Sequence, residues 1–294
     1  MASIRDIKRR RSSIESTQQI TKAMKLVSTV KLQRAKQRAE KNKNYFHTVY
    51  DTVTSILAKA GGVEHPFLKV SEGKKKAVIM ISSNKGLAGG YNSNLIKLVT
   101  RDPRFTKDNT KIYAIGKKGK DACVRMGYPI MKDYSEAIEE PAYQDGMQIT
   151  KELLTAFKAG EIDEIWLAYT FFKNTVSHIP TLLKLLPVDM EATKPEEEEG
   201  EVEEKKAPEA PMNFEPEDEE ALNLIIPKYL ASLIYGALVS AQASENGARM
   251  QAMDNATNNA SEMIEHLSLL YNRARQGKIT TELTEIIAGA DAIS

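Results

Sequence analysis

The sequence predicts an α/β protein. A long antiparallel two-helix coiled coil is built from the N- and C-terminal segments, and a Rossmann-like α/β domain is inserted between them. Three observations predict it. All eleven prolines lie between Pro66 and Pro227, and the first 60 residues also lack glycine. Proline and glycine are the residues that break or weaken helix interiors, so both ends can run as helices far longer than the globular mean of about 11–12 residues. Short apolar runs alternate with helical stretches in the middle of the chain, the pattern of strands joined by crossover helices. The expected divisions are a helix over 1–60, the α/β domain over 74–190, an acidic linker over 191–213 and a second helix over 214–294.

In the first helix Ile4, Ile7, Ile14, Ile20, Met24 and Val27 recur at helical spacings and are expected to form the buried stripe. Beyond Val30 the stripe thins to Ala35 and Ala39 in a very polar stretch, which must be held by something outside it. In the middle, Ala77–Ile81 is a strand, followed by the glycine loop NKGLAGG and a helix near Asn92–Val99. Lys111–Ile115 is a second strand and Lys117–Met126 a helix. A helix near Gln144–Ala159 precedes a strand over Glu164–Thr170, and His178–Leu186 reads as a fourth, giving a mostly parallel sheet. The last helix starts near Asp218 or Glu219, with a kink or a late start expected at Pro227. From Leu222 to Leu238 it is strongly apolar. Ala237, Ala241, Ala248, Ala252, Ala256 and Ala260 then follow at intervals that let two helix backbones approach closely.

The net charge of +1 hides a polarity. Residues 1–60 carry 14 Lys/Arg against 4 Asp/Glu, whereas residues 191–220 carry 3 against 14. Such opposite local fields mean different neighbours. The acidic stretch EATKPEEEEGEVEEKKAPEAP reads as a low-complexity surface segment. No apolar run approaches the roughly 18–20 residues needed to span a bilayer, so no transmembrane segment and no direct membrane insertion are expected. The start of the chain lacks the apolar core of a secretory signal. The single Cys123 fits a reducing compartment and reads as a small buried apolar residue.

Few residues suggest chemistry. The loop Ser83–Gly90 follows a strand, where backbone amides bind phosphates, but it matches neither GxxxxGK[ST] nor GxGxxG, and GKKGK at 116–120 fails both. A tight structural turn is the reading that spacing favours. His47, His65, His178 and His266 are scattered without metal-ligand spacing, so no catalytic residue, bound cofactor or metal site is expected. Basic residues at 8–11 spread around the helix and aromatics are sparse, which argues against nucleic acid.

Three segments, IKRRRSSIESTQQITKAMKLVSTVKL, SSNKGLAGGYNSNL and SENGARMQAMDNATNNASEMIEHLSLLYNRARQGKITTELTEIIAGA, strongly resemble the gamma subunit of F-type ATP synthase, over essentially the whole chain. The resemblance implies a non-catalytic central shaft that rotates inside a 3:3:1 head of alpha and beta subunits. It would couple ion flow through a membrane ring to the conformational cycle of the catalytic sites on beta. Carried onto this sequence, Met24 with Lys22 and Lys25 would face beta, as would Arg275, Gln276, Thr280 and Glu282. Phe214, Glu215 and Pro216 would touch the membrane c-ring, and the α/β domain would hold the epsilon subunit. The implied location is the cytoplasmic face of a bacterial inner membrane, as a peripheral protein. Ala88 stands where the family commonly has cysteine, and the cysteine pair of chloroplast relatives is absent, so no thiol switch is expected. The stretch 195–206 looks like an insertion before the foot. The competing reading is a Rossmann-like nucleotide-binding enzyme with helical arms.

Overall fold

A computed structural model describes residues 3–59, 66–67, 75–187 and 218–291. Two long helices bracket the chain, α1 (Ile4–Lys59) and α5 (Asp218–Asp291). Between them lie β1 (Lys76–Ile81), α2 (Tyr91–Thr100), β2 (Thr110–Ile115), α3 (Lys117–Met126), β3 (Ile130–Asp133), α4 (Tyr143–Lys158), β4 (Glu164–Phe172) and β5 (His178–Leu186). The chain divides into two units, residues 1–28 with 249–294 and residues 29–248.

The larger unit is built on a sheet of order β3-β2-β1-β4-β5. β1 pairs in parallel with β2 and β4, β2 with β3 likewise, and β5 runs antiparallel to β4 at the edge. Side chains alternate across a strand, and β1 shows the consequence. Ala77, Ile79 and Ile81 enter one core with Ile149 and Leu153 of α4 and Tyr229, Leu230 and Ile234 of α5. Val78 and Met80 enter the other with Leu95 and Val99 of α2 and Cys123 of α3. Helices thus cover both faces, which is why β1 is apolar at every position from Ala77 to Ile81.

Two local expectations change. β3 has no counterpart in the sequence reading: four residues, IMKD, half-buried or exposed throughout, are too short and too polar for a period to register. Proline does not delay or end α5, which runs through Pro227. Leu222, Ile226, Tyr229 and Leu230 are buried on either side of it, and that packing outweighs the one hydrogen bond a proline removes. Pro180 in β5 faces Thr170 across an edge pair, the place where a strand tolerates proline. An 18-residue window of α5 is also apolar enough to cross a membrane by composition, with mean hydropathy 1.6 despite its interrupting polar residues, but 61% of it is buried within the protein. That is the signature of a core helix.

At the amino end of the sheet, the Glu164 carboxylate is enclosed by Lys76 at 3.3 Å, Lys184 at 3.1 Å and Trp166 Nε1 at 3.0 Å. The Arg104 guanidinium lies 4.7 Å from the Trp166 ring and pairs with Asp102. Burial pushes the Glu164 carboxyl up, but the Trp166 and Lys184 hydrogen bonds and the two ammonium groups outweigh it and hold it below the usual range. Its stabilising contribution is therefore present above the unfolded carboxyl value of about 4.3 and is lost as pH falls through the lower folded value. We expect Glu164→Gln to destabilise the domain by about 2 kcal/mol at pH 7, the scale of hydrogen bonds to a charged group. The penalty should shrink toward pH 3 in urea unfolding series.

The smaller unit is a pair of antiparallel helices. Gln18 Nε2 donates to Ser261 Oγ at 2.7 Å, the Thr21 and Thr257 hydroxyls meet at 2.8 Å, and Lys25 Nζ reaches Asp254 at 2.6 Å. The Arg11 guanidinium lies 5.9 Å from the Tyr271 ring. On α1 the inward residues are Ile7, Arg11, Ile14, Gln18, Thr21, Lys25 and Ser28, all buried or half-buried and spaced alternately four and three apart. On α5 they are Met253, Thr257, Ala260, Ile264, Leu267 and Tyr271 at the same alternation. This is heptad packing.

Two expectations about the seam are corrected here. Ile20 and Val27, read as part of the buried stripe, are 60% and 58% exposed, and Leu26 and Val30 are exposed as well. Of the alanine series, Ala260 lies on the seam and Ala252 and Ala256 only flank it, half-buried, while Ala237 and Ala241 belong to the domain core. A spacing of four drifts across the helix face relative to the 3.5-residue repeat that contact selects.

Candidate protein interface

The glycine loop and the GKKGK motif form one corner of the domain, and their polar groups are used internally. The Asn92 side chain accepts from Ser83 N at 3.0 Å and donates to Ser83 Oγ at 2.7 Å, closing the loop over residues 83–92. Leu87 and Gly89 take positive φ values of 61° and 55°. The first four amides of α3 are occupied: Lys117 N by Asn84 Oδ1, Lys118 N by Ser83 O, Gly119 N by Ser82 Oγ and Lys120 N by Gly116 O. Gly116 and Gly119 are required because a Cβ at either would stand 2.1 Å and 2.7 Å from Ser82 atoms. This is a packed turn whose helix amides are not presented to an anion.

In an open α/β sheet the ligand crevice lies at the carboxyl ends of the strands where the strand order reverses, here between β1 and β4. Helix α5 is bonded into that end. Tyr91 Oη donates to Ala241 O at 3.2 Å, Phe172 N to Ser240 Oγ at 2.9 Å, Ser244 Oγ to Thr170 O at 3.0 Å, and Gln242 Nε2 to Glu139 O at 2.8 Å. A groove of about 620 Å³ runs beside α4, lined by Lys132, Gln148, Lys151, Glu152, Thr155 and Glu161 among others. Its central carboxylate, Glu152, is already bonded to Lys132 at 2.7 Å and to the Tyr134 hydroxyl at 2.5 Å. Burial and that hydrogen bond push the Tyr134 phenol far up. The buried Cys123 thiol lies 3.7 Å from Met80 Sδ, and burial pushes it up to about 11, so it has no nucleophilic character at neutral pH. Among the described residues no group of three His, Cys, Asp or Glu side chains could hold a metal.

The unusual surface belongs to the helix pair. On α5, Ile279, Leu283, Ile286 and Ile287 are 48–68% exposed. At about 100° per residue they fall on one face, and Arg275, Gln276, Thr280 and Glu282 fall within or beside the same arc, all exposed. Two local contacts order this turn: Thr280 Oγ1 donates to Gln276 O at 3.0 Å, and Lys278 lies 3.4 Å from Glu282. On α1, Lys22 is exposed and Met24 half-buried. Lys25 is turned into the seam, where its charge is met by Asp254. Sequence reasoning from residue types did not identify Ile20, Leu26 and Val27 as surface. Their signal was the competing heptad at 7, 14, 21 and 28. Phe214, Glu215, Pro216 and the insertion 195–206 lie outside the described residues.

Comparison with known proteins adds the lineage. The family model described as ATP synthase matches residues 3–293. The ATP synthase gamma chain of Lachnoclostridium phytofermentans is 63% identical over 294 residues, covering all of both chains. The gamma chain of Acetobacterium woodii, described as sodium ion specific, is 39% identical with 99% of each chain covered. A chain of the Euglena gracilis mitochondrial ATP synthase, solved with OSCP, F1 and the c-ring, shares the fold at TM-score 0.71, with 18% identity and coverage of 99% of this chain and 94% of that one. Full-length identity at this level, on an α/β sheet bracketed by two long helices, places the protein: it belongs to the ATP synthase gamma-chain family.

Proposed function

We propose that this chain is the central rotor shaft of an F-type ATP synthase, itself without a catalytic site or a bound nucleotide. It turns within a 3:3:1 head of alpha and beta subunits, carries the epsilon subunit on its α/β domain and meets the membrane c-ring through Phe214, Glu215 and Pro216. It works at the cytoplasmic face of a bacterial membrane as a peripheral component. Ion flow through the ring turns the shaft, and its uneven surface drives the sites on beta through their cycle.

The observation that carries this reading is the inverted polarity of the helix pair. In water a helix pair hides its apolar residues and shows its polar ones. Here Gln18, Thr21, Lys25 and Ser28 face inward while Ile20, Leu26 and Val27 face out, and the far end of α5 is apolar on its exposed face. Exposed apolar surface of this kind marks contact with other proteins, and its presence on both helices fits a pair enclosed by partners. The closed α5–sheet contact and the occupied α3 amides support the assignment of nucleotide binding to other subunits.

The test is co-expression with alpha and beta subunits. A 3:3:1 particle whose ATP hydrolysis requires this chain is the expected product; a chain that ignores both subunits would overturn the reading. Within that particle, Arg275→Ala with Gln276→Ala should lower coupled ion pumping at least about tenfold if each removes a charge-assisted or neutral hydrogen bond to beta. Unchanged pumping would remove these residues from the interface.

A further inference from the structure

The seam of the helix pair is not uniform. Toward the start of α1 it is mostly apolar, with Ile7 and Ile14 inward on α1, Ile264, Leu267 and Tyr271 inward on α5, and Arg11 over the Tyr271 ring. From Gln18 to Ser28 no inward residue of α1 is apolar, and three side-chain bonds to Ser261, Thr257 and Asp254 join the helices beside Met253 and Ala260 of α5. The hydroxyls there are also doubly provided for. Thr21 Oγ1 donates to Gln18 O, Ser28 Oγ to Met24 O, Thr257 Oγ1 to Met253 O and Ser261 Oγ to Thr257 O, all between 2.7 and 3.1 Å. Each can keep a partner within its own helix when the two helices part. The Lys25–Asp254 pair is itself two-fifths exposed and can be replaced by water. Separation at this level strands none of these hydroxyls and uncovers chiefly Met253 and Ala260, whereas separation nearer the start of α1 uncovers Ile7, Ile14, Ile264, Leu267 and Tyr271 together.

We propose that residues 18–28 and 250–261 form a local opening unit: the helices part there, between a section closed by apolar packing and the sheet domain, while both of those remain folded. Most helical stability in proteins comes from the packing of one helix face against a partner, so loss of that packing weakens both stretches and opens their amides to solvent. Opening of such a unit lies well below global unfolding in free energy.

Hydrogen exchange of the full chain, followed by mass spectrometry, tests this. Amides of 18–28 and 250–261 are expected to exchange together, at least about a hundredfold faster than those of β1, β2 and β4, and faster than those of 264–271. The double variant Thr21→Val with Thr257→Val keeps side-chain shape and makes the contact apolar; it should slow exchange in both segments about tenfold and leave β1–β4 unchanged. Equal protection along the whole pair, fast exchange that includes 264–271, or no response to the double variant would each overturn the proposal. Spin labels supply an independent reading in the parent sequence. The distance distribution between Ala23→Cys and Asn255→Cys should be broader than that between Lys8→Cys and Asn272→Cys; equal widths would count against a localised opening. Cys123, buried in the domain core, does not compete for label.

Discussion

Replacing Gly116 with alanine should unfold much of the domain's margin of stability. Gly116 sits at φ 98°, and a Cβ there would lie 2.1 Å from the Ser82 carbonyl oxygen and 2.5 Å from its carbon. Both obstacles are main chain and cannot rotate aside. A side chain at such a φ costs about 1–3 kcal/mol, and overpacking a filled site typically adds another 1–3 kcal/mol. We expect a loss of about 3–5 kcal/mol, measured by calorimetry as a fall in Tm of roughly 10–15 °C for a unit of this size. A smaller loss is expected at Gly119, where a Cβ would stand 2.7 Å from Ser82 Oγ and 3.0 Å from Met80 Sδ, both side-chain atoms. A Gly116→Ala protein melting within 3 °C or so of its parent would mean that the β1–α3 corner relaxes freely, contrary to its burial. The glycines of GKKGK would then need another explanation.

The second large effect concerns assembly and not folding. Ile20 and Val27 lie one heptad apart on α1, both more than half exposed. Changing both to aspartate should leave the isolated chain's Tm within about 2 °C of the parent, because surface substitutions away from special features usually change stability by under about 0.5 kcal/mol. Within the assembled head the same carboxylates would be desolvated without partners, at a cost of several kcal/mol each. The expected result is a drop of about tenfold or more in recovered 3:3:1 particles, or in ATP-driven pumping by those that form. Normal assembly and pumping by the aspartate double variant would show that this face of α1 meets water in the complex, and the inverted polarity would lose its meaning.

Much of the domain was legible in the sequence because its strands obey the usual rule. β1, β2 and β4 are apolar runs buried over most of their length, β5 is a half-buried run that ends on buried Leu185 and Leu186, and apolar runs bounded by turns announce themselves. β3 did not, since a four-residue edge strand ending in Lys132 and Asp133 is held by main-chain pairing with β2 and not by a core face. In the helix pair the same rule pointed the wrong way. Assigning Ile20 and Val27 to the inside presumes that the outside is water, and the structure instead buries Thr21 and Ser28 at heptad positions. Geometry chose the seam and composition did not. The proposed contact residues Arg275, Gln276, Thr280 and Glu282 were reachable only through the family resemblance, because charge and spacing do not distinguish a surface turn that binds from one that is solvated. The structure adds the exposed isoleucines and leucine between them.

The 4–3 alternation from Ile7 to Ser28 also has a mechanical corollary. A repeat of 3.5 residues is shorter than the natural turn of an α-helix, so two helices joined along it wrap left-handedly. Like a two-ply rope, such a winding tightens when wrung in one sense and loosens in the other. Torque that tightens it presses Thr21 toward Thr257 and Lys25 toward Asp254; torque that loosens it pulls on the same bonds. Clockwise and counter-clockwise turning are therefore not equivalent loads for this pair of helices.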